Sequence, residues 1–148
     1  MTLCIAPATD MDAVRAIFRE YAASVGLDLE FQDFSEELAT LPGHYDPILF
    51  AYWNHDIAGC VALRDLGDGI CEMKRLYVRP QFQQHGIGRA LAVALIELAR
   101  ERGHRAMRLD SLPSMTRAIR LYERLGFHDT VPYRYNPVAG TRFLELVL

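Results

Sequence analysis

The 148-residue sequence has only three cysteines, and no two of them form a Cys-x-x-Cys pair. Cys4, Cys60 and Cys71 are an odd number in apolar, strand-like surroundings, and no histidine lies at a metal-ligand spacing from them. This usage is typical of reduced core cysteines and argues against both a disulfide framework and a metal site. We therefore expect a cytoplasmic protein without a bound metal.

Long apolar runs and a strong net charge are also missing. No stretch reaches the roughly eighteen uninterrupted apolar residues of a membrane span, and the N-terminus lacks a basic patch followed by an apolar segment. The formal net charge is −3 and the pI is about 5.9, which argues against nucleic acid or an anionic membrane as the main partner. With 51% apolar residues, the chain is ample for one domain over 1–148 and short for two.

Hydrophobic periodicity predicts helices and strands in mixed order. The first half is predicted as a strand (3–6), a helix (11–26), a mixed linker (27–34), a helix (35–41), a loop (44–47) and a hairpin (48–53 with 57–64). The second half is predicted as a strand (70–78), a helix ending near 102, a strand (105–110), a helix from Ser114 and a strand pair (127–135 with 141–148). The strand–helix–strand order from 70 to 110 requires a parallel pair, whereas hairpins are antiparallel, so we predict a mixed α/β sheet with helices on its faces.

The strongest functional pattern lies between Glu72 and Arg102. A strand, a Gly-rich turn and a helix follow one another, and Gln83, Gly86 and Gly88 have the spacing Q-x-x-G-x-G. A helix start offers unpaired backbone N–H groups and the positive end of the helix dipole, and glycines let an anion come close. We predict a phosphorylated ligand here, and a plain tight turn is the alternative explanation of the two glycines.

The strand before this turn predicts a β-bulge. Cys71 and Met73 keep a period of two, and Leu76 and Val78 keep it again with the parity shifted by one. One extra residue near 74–75 would put all four on one face and push the strand away from its neighbour. Backbone groups of Leu76 and Val78 would then be free for a ligand. The alternative is a strand buried on both faces, where parity carries no meaning.

These features resemble the GNAT superfamily of N-acetyltransferases, which transfer an acetyl group from acetyl-coenzyme A (acetyl-CoA) to an amine. The similar parts are the strand LYV leading into Q-x-x-G-x-G, the helix segment AIRLYERLGF and the order of elements on both sides. The resemblance spans essentially the whole chain. It implies a GNAT-like acyl-CoA N-acyltransferase fold, with a mostly antiparallel sheet of about six or seven strands, one splayed parallel pair and about four helices.

The resemblance also implies how acetyl-CoA is bound. Backbone groups of Leu76 and Val78 would hold the acetyl carbonyl and the pantetheine arm, and the amides of 84–89 would wrap the pyrophosphate. Met115 stands where many relatives have an asparagine that contacts the pantetheine, so this contact comes from Ser111 or Ser114, or is absent. The complete implied set for the cofactor is Leu76, Tyr77, Val78, Gln83, Gln84, His85, Gly86, Ile87, Gly88, Arg89, Ser114 and Tyr122.

Two residues receive catalytic roles through the resemblance. Tyr122 lies four residues before Gly126 in a segment similar to the family's Y-x-x-x-G-F, where the tyrosine can protonate the departing thiolate; a core aromatic is the alternative. Glu72 lies fourteen residues before Gly86, which looks like the position of a glutamate base in the histone-acetylating branch. An ammonium must lose a proton before its nitrogen attacks. A solvent-facing residue, or an ion pair with Lys74 or Arg105, is the alternative for Glu72.

The acceptor amine is less determined by the sequence. Residues that flank the acceptor side in relatives of this architecture correspond to Phe31, Gln32, Tyr45, Tyr133, Tyr135 and Asn136. Glu72, as the base, and Arg75, as a basic group, complete the candidate acceptor set. Arg75 and Arg134 could bind a carboxylate, which favours an amino-acid-like or small metabolite amine that attacks acetyl-CoA directly in a ternary complex. A protein N-terminus or lysine is the second hypothesis, and a silent acyl-CoA-binding regulatory module is the third. The sequence does not decide the oligomeric state, and a homodimer is one of the states left open.

Overall fold

One seven-stranded mixed sheet and four α-helices make up residues 2–26 and 29–148, which are the residues that the computed structural model describes, without the side chains of 31 and 32. The strands are β1 (Leu3–Pro7), β2 (Tyr45–Trp53), β3 (Asp56–Gly67), β4 (Ile70–Val78), β5 (Ala106–Ser111), β6 (His128–Asp129) and β7 (Arg142–Val147). The helices are α1 (Met11–Val25), α2 (Phe34–Thr40), α3 (Ile87–Glu101) and α4 (Thr116–Arg124), with 3-10 turns at Leu29–Gln32 and Pro80–Phe82.

The sheet has the spatial order β1-β2-β3-β4-β5-β7-β6. β4 and β5 are its parallel pair among the described strands, and the other neighbours are antiparallel. The predicted mixed sheet with one parallel pair and about four helices is confirmed. Within the same residues, no helix has the length and apolar character needed to cross a bilayer.

Three predicted boundaries are wrong. β2 begins at Tyr45, inside the predicted loop, because Tyr45 already pairs with Arg64 of β3. α4 begins at Thr116 rather than at Ser114, which lies in the turn before it. The predicted strand over 127–135 shrinks to the two residues of β6, since Pro132 lacks the N–H that a strand ladder needs. Residues 130–141, which we call the strap, bond to the sheet through the backbone of Thr130 and through side chains farther along.

The predicted bulge in β4 is confirmed. Cys60 pairs with Tyr77 and Ala62 pairs with Lys74, so β4 uses three steps where β3 uses two. Arg75 within this stretch has a φ of +61°, a left-handed conformation that is uncommon outside glycine. As a result, one face of β4 presents to α3 the four residues Cys71, Met73, Leu76 and Val78.

Two apolar clusters cover the two faces of the sheet. On the α3 side, Leu91 and Leu95 of the predicted helix stripe are fully buried, and Tyr122 of α4 belongs to the same cluster. On the α1 side, Ile17 and Phe18 are fully buried against β2 and β3. Each such side chain contributes about 1.5–3 kcal/mol when fully buried. The two clusters therefore support the sheet on both of its faces.

The sheet opens between β4 and β5. Their parallel pairing joins 70–72 to 106–108 and ends there, because the bulge carries the rest of β4 away. β5 continues to pair with β7 along its whole length, up to Ser111 opposite Arg142. A wedge-shaped cleft therefore separates the second half of β4 from the end of β5.

Candidate active site

The cleft between β4 and β5 collects residues from distant parts of the chain. The apolar part of its walls includes Met73, Leu76, Leu109 and Met115. The remaining groups that line it are mostly polar or aromatic, and they include Tyr21, Lys74, Arg75, Asp110, Ser111, Tyr122 and Asn136. Such a mixture, apolar walls with a few convergent polar groups, is typical of a ligand site.

Leu76 brings backbone groups to the cleft. In the strand pairings of the described residues, Leu76 has no partner in either β3 or β5, because the bulge removes it from the β3 register. Val78 keeps Gly59 of β3 as its register partner and has none in β5. The N–H of Leu76 is therefore a candidate donor for a ligand carbonyl in the cleft.

Tyr122 closes the cleft from the α3 side. Its ring packs edge-on against Phe127 with 5.7 Å between the ring centroids, and 6% of the residue is exposed. Burial raises the pKa of the phenol well above its usual value, so the group stays protonated around neutral pH. Among the described residues, nothing hydrogen-bonds to its hydroxyl, which leaves the proton available to a ligand in the cleft.

Ser111 is the second hydroxyl of the cleft. It is 3% exposed, and its buried Oγ has no hydrogen-bond partner among the described groups. Ser114, by contrast, is exposed and does not line the cleft. Of the two serines proposed to replace the missing asparagine, only Ser111 is brought to the site.

Asp110 is a carboxylate of the cleft that the sequence analysis missed. It lies at the end of β5, and Asn136 of the strap donates from Nδ2 to its Oδ2 at 3.2 Å. Within the described part of the chain, no group bonds to its Oδ1. The alternation of Met107 and Leu109 with Arg108 and Asp110 predicts that Asp110 points to the opposite face from Tyr122, and this signal could have identified it.

Glu72 is fully buried but does not line the cleft. Its Oε2 accepts a hydrogen bond from the hydroxyl of Tyr133 at 2.6 Å, and its Oε1 accepts one from Nη2 of Arg134 at 2.6 Å. Glu72 is therefore not solvent-facing, and its ion pair is with Arg134 rather than with Lys74 or Arg105. Each carboxylate oxygen keeps a second lone pair, but both already accept a hydrogen bond from the strap.

The strap is pinned to the α1 side of the sheet by the two acidic residues, Glu72 and Asp110. Tyr133 stacks edge-on against Phe143, with 5.6 Å between ring centroids, and Asn136 accepts from the N–H of Val138 to shape the strap. Burial and the neighbouring Glu72 carboxylate raise the pKa of Tyr133. Tyr135 is 75% exposed and lies outside the cleft. The strap therefore forms the cover of the cleft on its α1 side.

Arg75 and Tyr45 belong to a different cluster from the strap. Nε and Nη2 of Arg75 donate to the two carboxylate oxygens of Glu37 at 2.9 and 2.8 Å, and the hydroxyl of Tyr45 donates to Oε1 of Glu37 at 2.8 Å. The guanidinium of Arg75 also lies 5.5 Å from the ring centroid of Tyr21. Tyr45 lines a separate cavity of about 310 Å³ rather than the cleft. Phe31 and Gln32, also predicted for the acceptor side, have side chains outside the described part.

Lys74 is the only lysine of the chain and lines the cleft opposite Asp110. It is 6% exposed. Burial, with the nearby Arg75 cation, lowers its pKa from 10.5 to about 8. Unlike an arginine, this residue can therefore lose its charge near physiological pH.

Replacement of Lys74 with methionine is expected to change the pH dependence of stability. Between pH 8 and pH 10.5 the unfolded chain binds the lysine proton and the folded protein does not, so the contribution of Lys74 to the free energy of unfolding rises with pH. The difference in that free energy, wild type minus Lys74→Met, should increase by about 3 kcal/mol across this range. Urea unfolding at several pH values measures this difference in the free energy of unfolding. Because Lys74 is the only lysine of the chain, no other lysine contributes to it. A pH-independent difference would contradict the assignment.

The turn before α3 has an exposed helix N-terminus. Gly86 is the N-cap with a φ of +73°, and no side chain caps the first N–H groups of α3. Gln84 has the same φ of +73°, so the backbone of the turn winds in a left-handed sense. Uncapped N–H groups at a helix start attract an anion. The geometry agrees with the phosphate site predicted from the glycines.

Two side chains of the turn, those of Gln83 and His85, contact neighbouring residues. Gln83 donates from Nε2 to the backbone oxygen of Val78 at 3.3 Å and accepts from Arg117 at 3.3 Å. His85 stacks on Trp53 with 4.6 Å between the rings. Arg89 is exposed and Ile87 is buried in the core. Tyr77 differs from the other predicted cofactor residues, because its side chain packs on the α1 side against Tyr21.

Comparison with known proteins gives concordant results. A family model described as Acetyltransferase (GNAT) family matches residues 11–127. The chain is 38% identical over 143 residues to an uncharacterised N-acetyltransferase of Schizosaccharomyces pombe, which covers 93% of this chain and 88% of the relative. It is 39% identical over 66 residues to the alanine N-acetyltransferase of ribosomal protein bS18 from Escherichia coli, which covers 44% of this chain and 45% of the relative.

Among solved structures, the chain resembles PaiA N-acetyltransferase from Thermoplasma acidophilum in complex with coenzyme A. The TM-score is 0.75, the sequence identity is 16%, and all of both chains is covered. At this identity, the likeness establishes the fold alone.

Proposed function

Because the chain belongs to the GNAT family of N-acetyltransferases, we propose that it transfers the acetyl group of acetyl-CoA to a primary amine of a small molecule. The observation that carries the proposal is the splayed cleft, where Leu76, which has no register partner among the described strands, lies with the phenol of Tyr122 and the carboxylate of Asp110 around one space. These are a hydrogen-bond donor for a carbonyl, a proton donor and a proton acceptor. We treat 1–148 as one catalytic domain.

Acetyl-CoA fits the residues present. The uncapped start of α3 after Gly86 suits a pyrophosphate, and residues 83–89 would hold it there. The unpaired Leu76 and the unpartnered Oγ of Ser111 are polar groups inside an apolar cleft, as a thioester with a pantetheine arm requires. When bound, acetyl-CoA supplies an acetyl group already activated as a thioester, with a thiol as its leaving group.

Three residues of the chain each have one catalytic role in this proposal. The Leu76 N–H donates to the acetyl carbonyl as its oxygen gains negative charge, an interaction that contributes about 3 kcal/mol in comparable sites. Asp110 removes a proton from the acceptor ammonium, because only the neutral amine is a nucleophile. Tyr122 gives its proton to the departing sulfur. The acceptor and the thioester therefore meet between two opposite faces of the opened sheet.

The assignment of Glu72 as the base stays a prediction and is our second candidate. Its two oxygens are bonded to Tyr133 and Arg134, whereas Asp110 has a free oxygen in the cleft. We therefore propose that Glu72 anchors the strap and that Asp110 takes the proton. Glu72 keeps lone pairs that could accept a proton, but it does not line the cleft.

The cleft favours a small acceptor with an anionic group. The strap covers the α1 side, so little room remains for a folded partner. Asp110 offers a negative charge for an ammonium, and Lys74 offers a positive charge to a carboxylate. Tyr133 and Asn136 would then contact the acceptor, whereas Tyr45 and Tyr135 are poorly placed for this role. Arg75 is already bonded to Glu37.

A protein N-terminus is the second candidate acceptor. The observation in its favour is the partial similarity to the bS18 alanine N-acetyltransferase. A silent acyl-CoA-binding module remains the third hypothesis, although it leaves the phenol of Tyr122 and the carboxylate of Asp110 without a use. We further propose a cytoplasmic location on the basis of the three free cysteines; the homodimer stays an open prediction.

Thiol release from acetyl-CoA across an amine library tests the proposed function. The library should contain amino acids, amines without a carboxylate, and peptides with free N-termini. We expect amine-dependent release, fastest with a small amine that bears a carboxylate. If only peptides support thiol release, the acceptor is a protein N-terminus and not a small molecule. Binding of coenzyme A without release on any amine would favour the silent module.

A further inference from the structure

We propose that Ser111 is a second hydroxyl donor to the sulfur of the bound thioester, acting beside Tyr122. The inference rests on the proposed function in one respect, since acetyl-CoA must be the ligand of the cleft. It adds a catalytic residue at the leaving-group end of the reaction. The reasons come from the burial of Ser111, its level in the sheet and the face on which it lies.

The burial of Ser111 calls for a partner. Its Oγ is shielded from solvent and bonds to nothing among the described groups, in a cleft whose nearby walls include Leu112 and Met115. An unsatisfied hydroxyl in apolar surroundings costs free energy that any hydrogen-bond acceptor in the cleft would recover. A neutral sulfur, in Met115 or in the thioester, is a weak acceptor, so the hydroxyl gains a strong partner in the cleft when the leaving sulfur becomes negatively charged.

The register of the two strands sets the level of Ser111. Glu72 is opposite Arg108 where the parallel pairing ends. If the same register is continued and Arg75 is counted as the extra residue of the bulge, Leu76 comes opposite Ser111. The proposed donor to the acetyl carbonyl and the unpartnered hydroxyl therefore lie at the same level on the two sides of the cleft. The ligand group at that level is the thioester.

The face of the sheet decides which end of the thioester Ser111 meets. Met107 and Leu109 belong to the same apolar cluster as Tyr122, and Ser111 continues their alternation on β5. Ser111 thus shares the α3 side with Tyr122, while Asp110 faces the α1 side from which the amine comes. A hydroxyl on the side away from the amine is placed for the leaving sulfur.

The reaction balances with Ser111 as a donor that keeps its proton. The amine nitrogen forms its bond to the acetyl carbon, and the carbon–sulfur bond breaks with its electron pair going to sulfur. The acceptor loses two protons in all: Asp110 takes the first from the ammonium and passes it to water before the attack, and Asp110 then takes the second from the nitrogen of the adduct. The phenol proton of Tyr122 goes to the sulfur, and Tyr122 and Asp110 are afterwards restored by exchange with water. Ser111 stabilises the negative charge on sulfur through a hydrogen bond, which is stronger to a charged acceptor than to a neutral one.

The test is a pH titration of the thiol of bound coenzyme A, followed by the ultraviolet absorbance of the thiolate. We expect the wild-type protein to lower the pKa of the bound thiol, Ser111→Ala to raise it again, and Ser111→Thr to keep it low because the hydroxyl remains. The turnover of Ser111→Ala should fall about tenfold with the KM for acetyl-CoA nearly unchanged. Ser24→Ala, which removes an exposed hydroxyl of α1, is the control.

Other outcomes would overturn the inference. If Ser111→Ala weakens coenzyme A binding but leaves the pKa of the bound thiol unchanged, the hydroxyl contacts the pantetheine arm instead. If Ser114→Ala rather than Ser111→Ala changes the thiol pKa, the wrong serine has been chosen. The titration needs no acceptor amine, so it can succeed when the screen for turnover fails, and the two proposals are tested separately.

Discussion

Replacement of Tyr122 with phenylalanine is expected to lower kcat about a hundredfold and to leave the affinity for acetyl-CoA nearly unchanged. The substitution removes the one acidic proton that the α3 side of the cleft offers to a departing sulfur in the described residues, and it keeps the ring that packs against Phe127. Steady-state kinetics combined with direct measurement of coenzyme A binding would separate turnover from affinity.

The matched control for this variant is Tyr52→Phe. Tyr52 also loses a phenolic hydroxyl, but its ring packs against Phe50 on the α1 side, away from the cleft. The thiolate of a more acidic thiol leaves readily without a proton donor. With an acetyl thioester of such a thiol as the substrate, the difference in kcat between wild type and Tyr122→Phe should therefore be smaller. If wild type and Tyr122→Phe have equal kcat with acetyl-CoA, Tyr122 has no part in the mechanism and is a core aromatic residue.

Replacement of Asp110 with asparagine is expected to lower kcat/KM about a hundredfold at neutral pH. The remaining activity should rise with pH, because the variant depends on amine that has already lost its proton in solution. Wild-type activity should rise less steeply, since Asp110 removes the proton within the complex. A pH–rate profile of both proteins with one accepted amine measures the difference.

The comparison variant is Glu72→Gln, which decides between the two carboxylates. Its effect on kcat/KM should be smaller than that of Asp110→Asn, and it should come with a lower free energy of unfolding, because the strap loses its ion pair to Arg134. If instead Glu72→Gln is the slower enzyme and shows the steeper pH dependence, Glu72 is the base. Thermal unfolding of both variants shows whether a fall in kcat/KM comes from release of the strap or from removal of the proton acceptor.

The parts of the site that local sequence determines could be predicted. The shift in parity after Met73 predicts the bulge, because side-chain alternation has a fixed period within one strand. The glycine at 86 predicts the exposed helix start, because a left-handed residue before a helix favours glycine. Both features depend on residues within one strand–turn–helix unit.

The parts that depend on distant residues could not be predicted. Glu72 meets Tyr133 across 61 positions of the chain, and Arg75 meets Glu37 across 38. No pattern of periodicity reports such pairs, so an ion pair for Glu72 could be anticipated but its partner could not. The unpartnered state of Ser111 is likewise invisible in sequence, because it depends on which groups fail to reach it.

A crystal structure with bound acetyl-CoA tests the central claim most directly, namely that the thioester lies in the splay between β4 and β5. We expect the acetyl oxygen within hydrogen-bond distance of the Leu76 N–H, the pyrophosphate against residues 84–89, and the sulfur facing Tyr122 and Ser111 with Asp110 on the opposite side. A thioester bound outside this cleft, or one whose sulfur faces Asp110, would contradict the account.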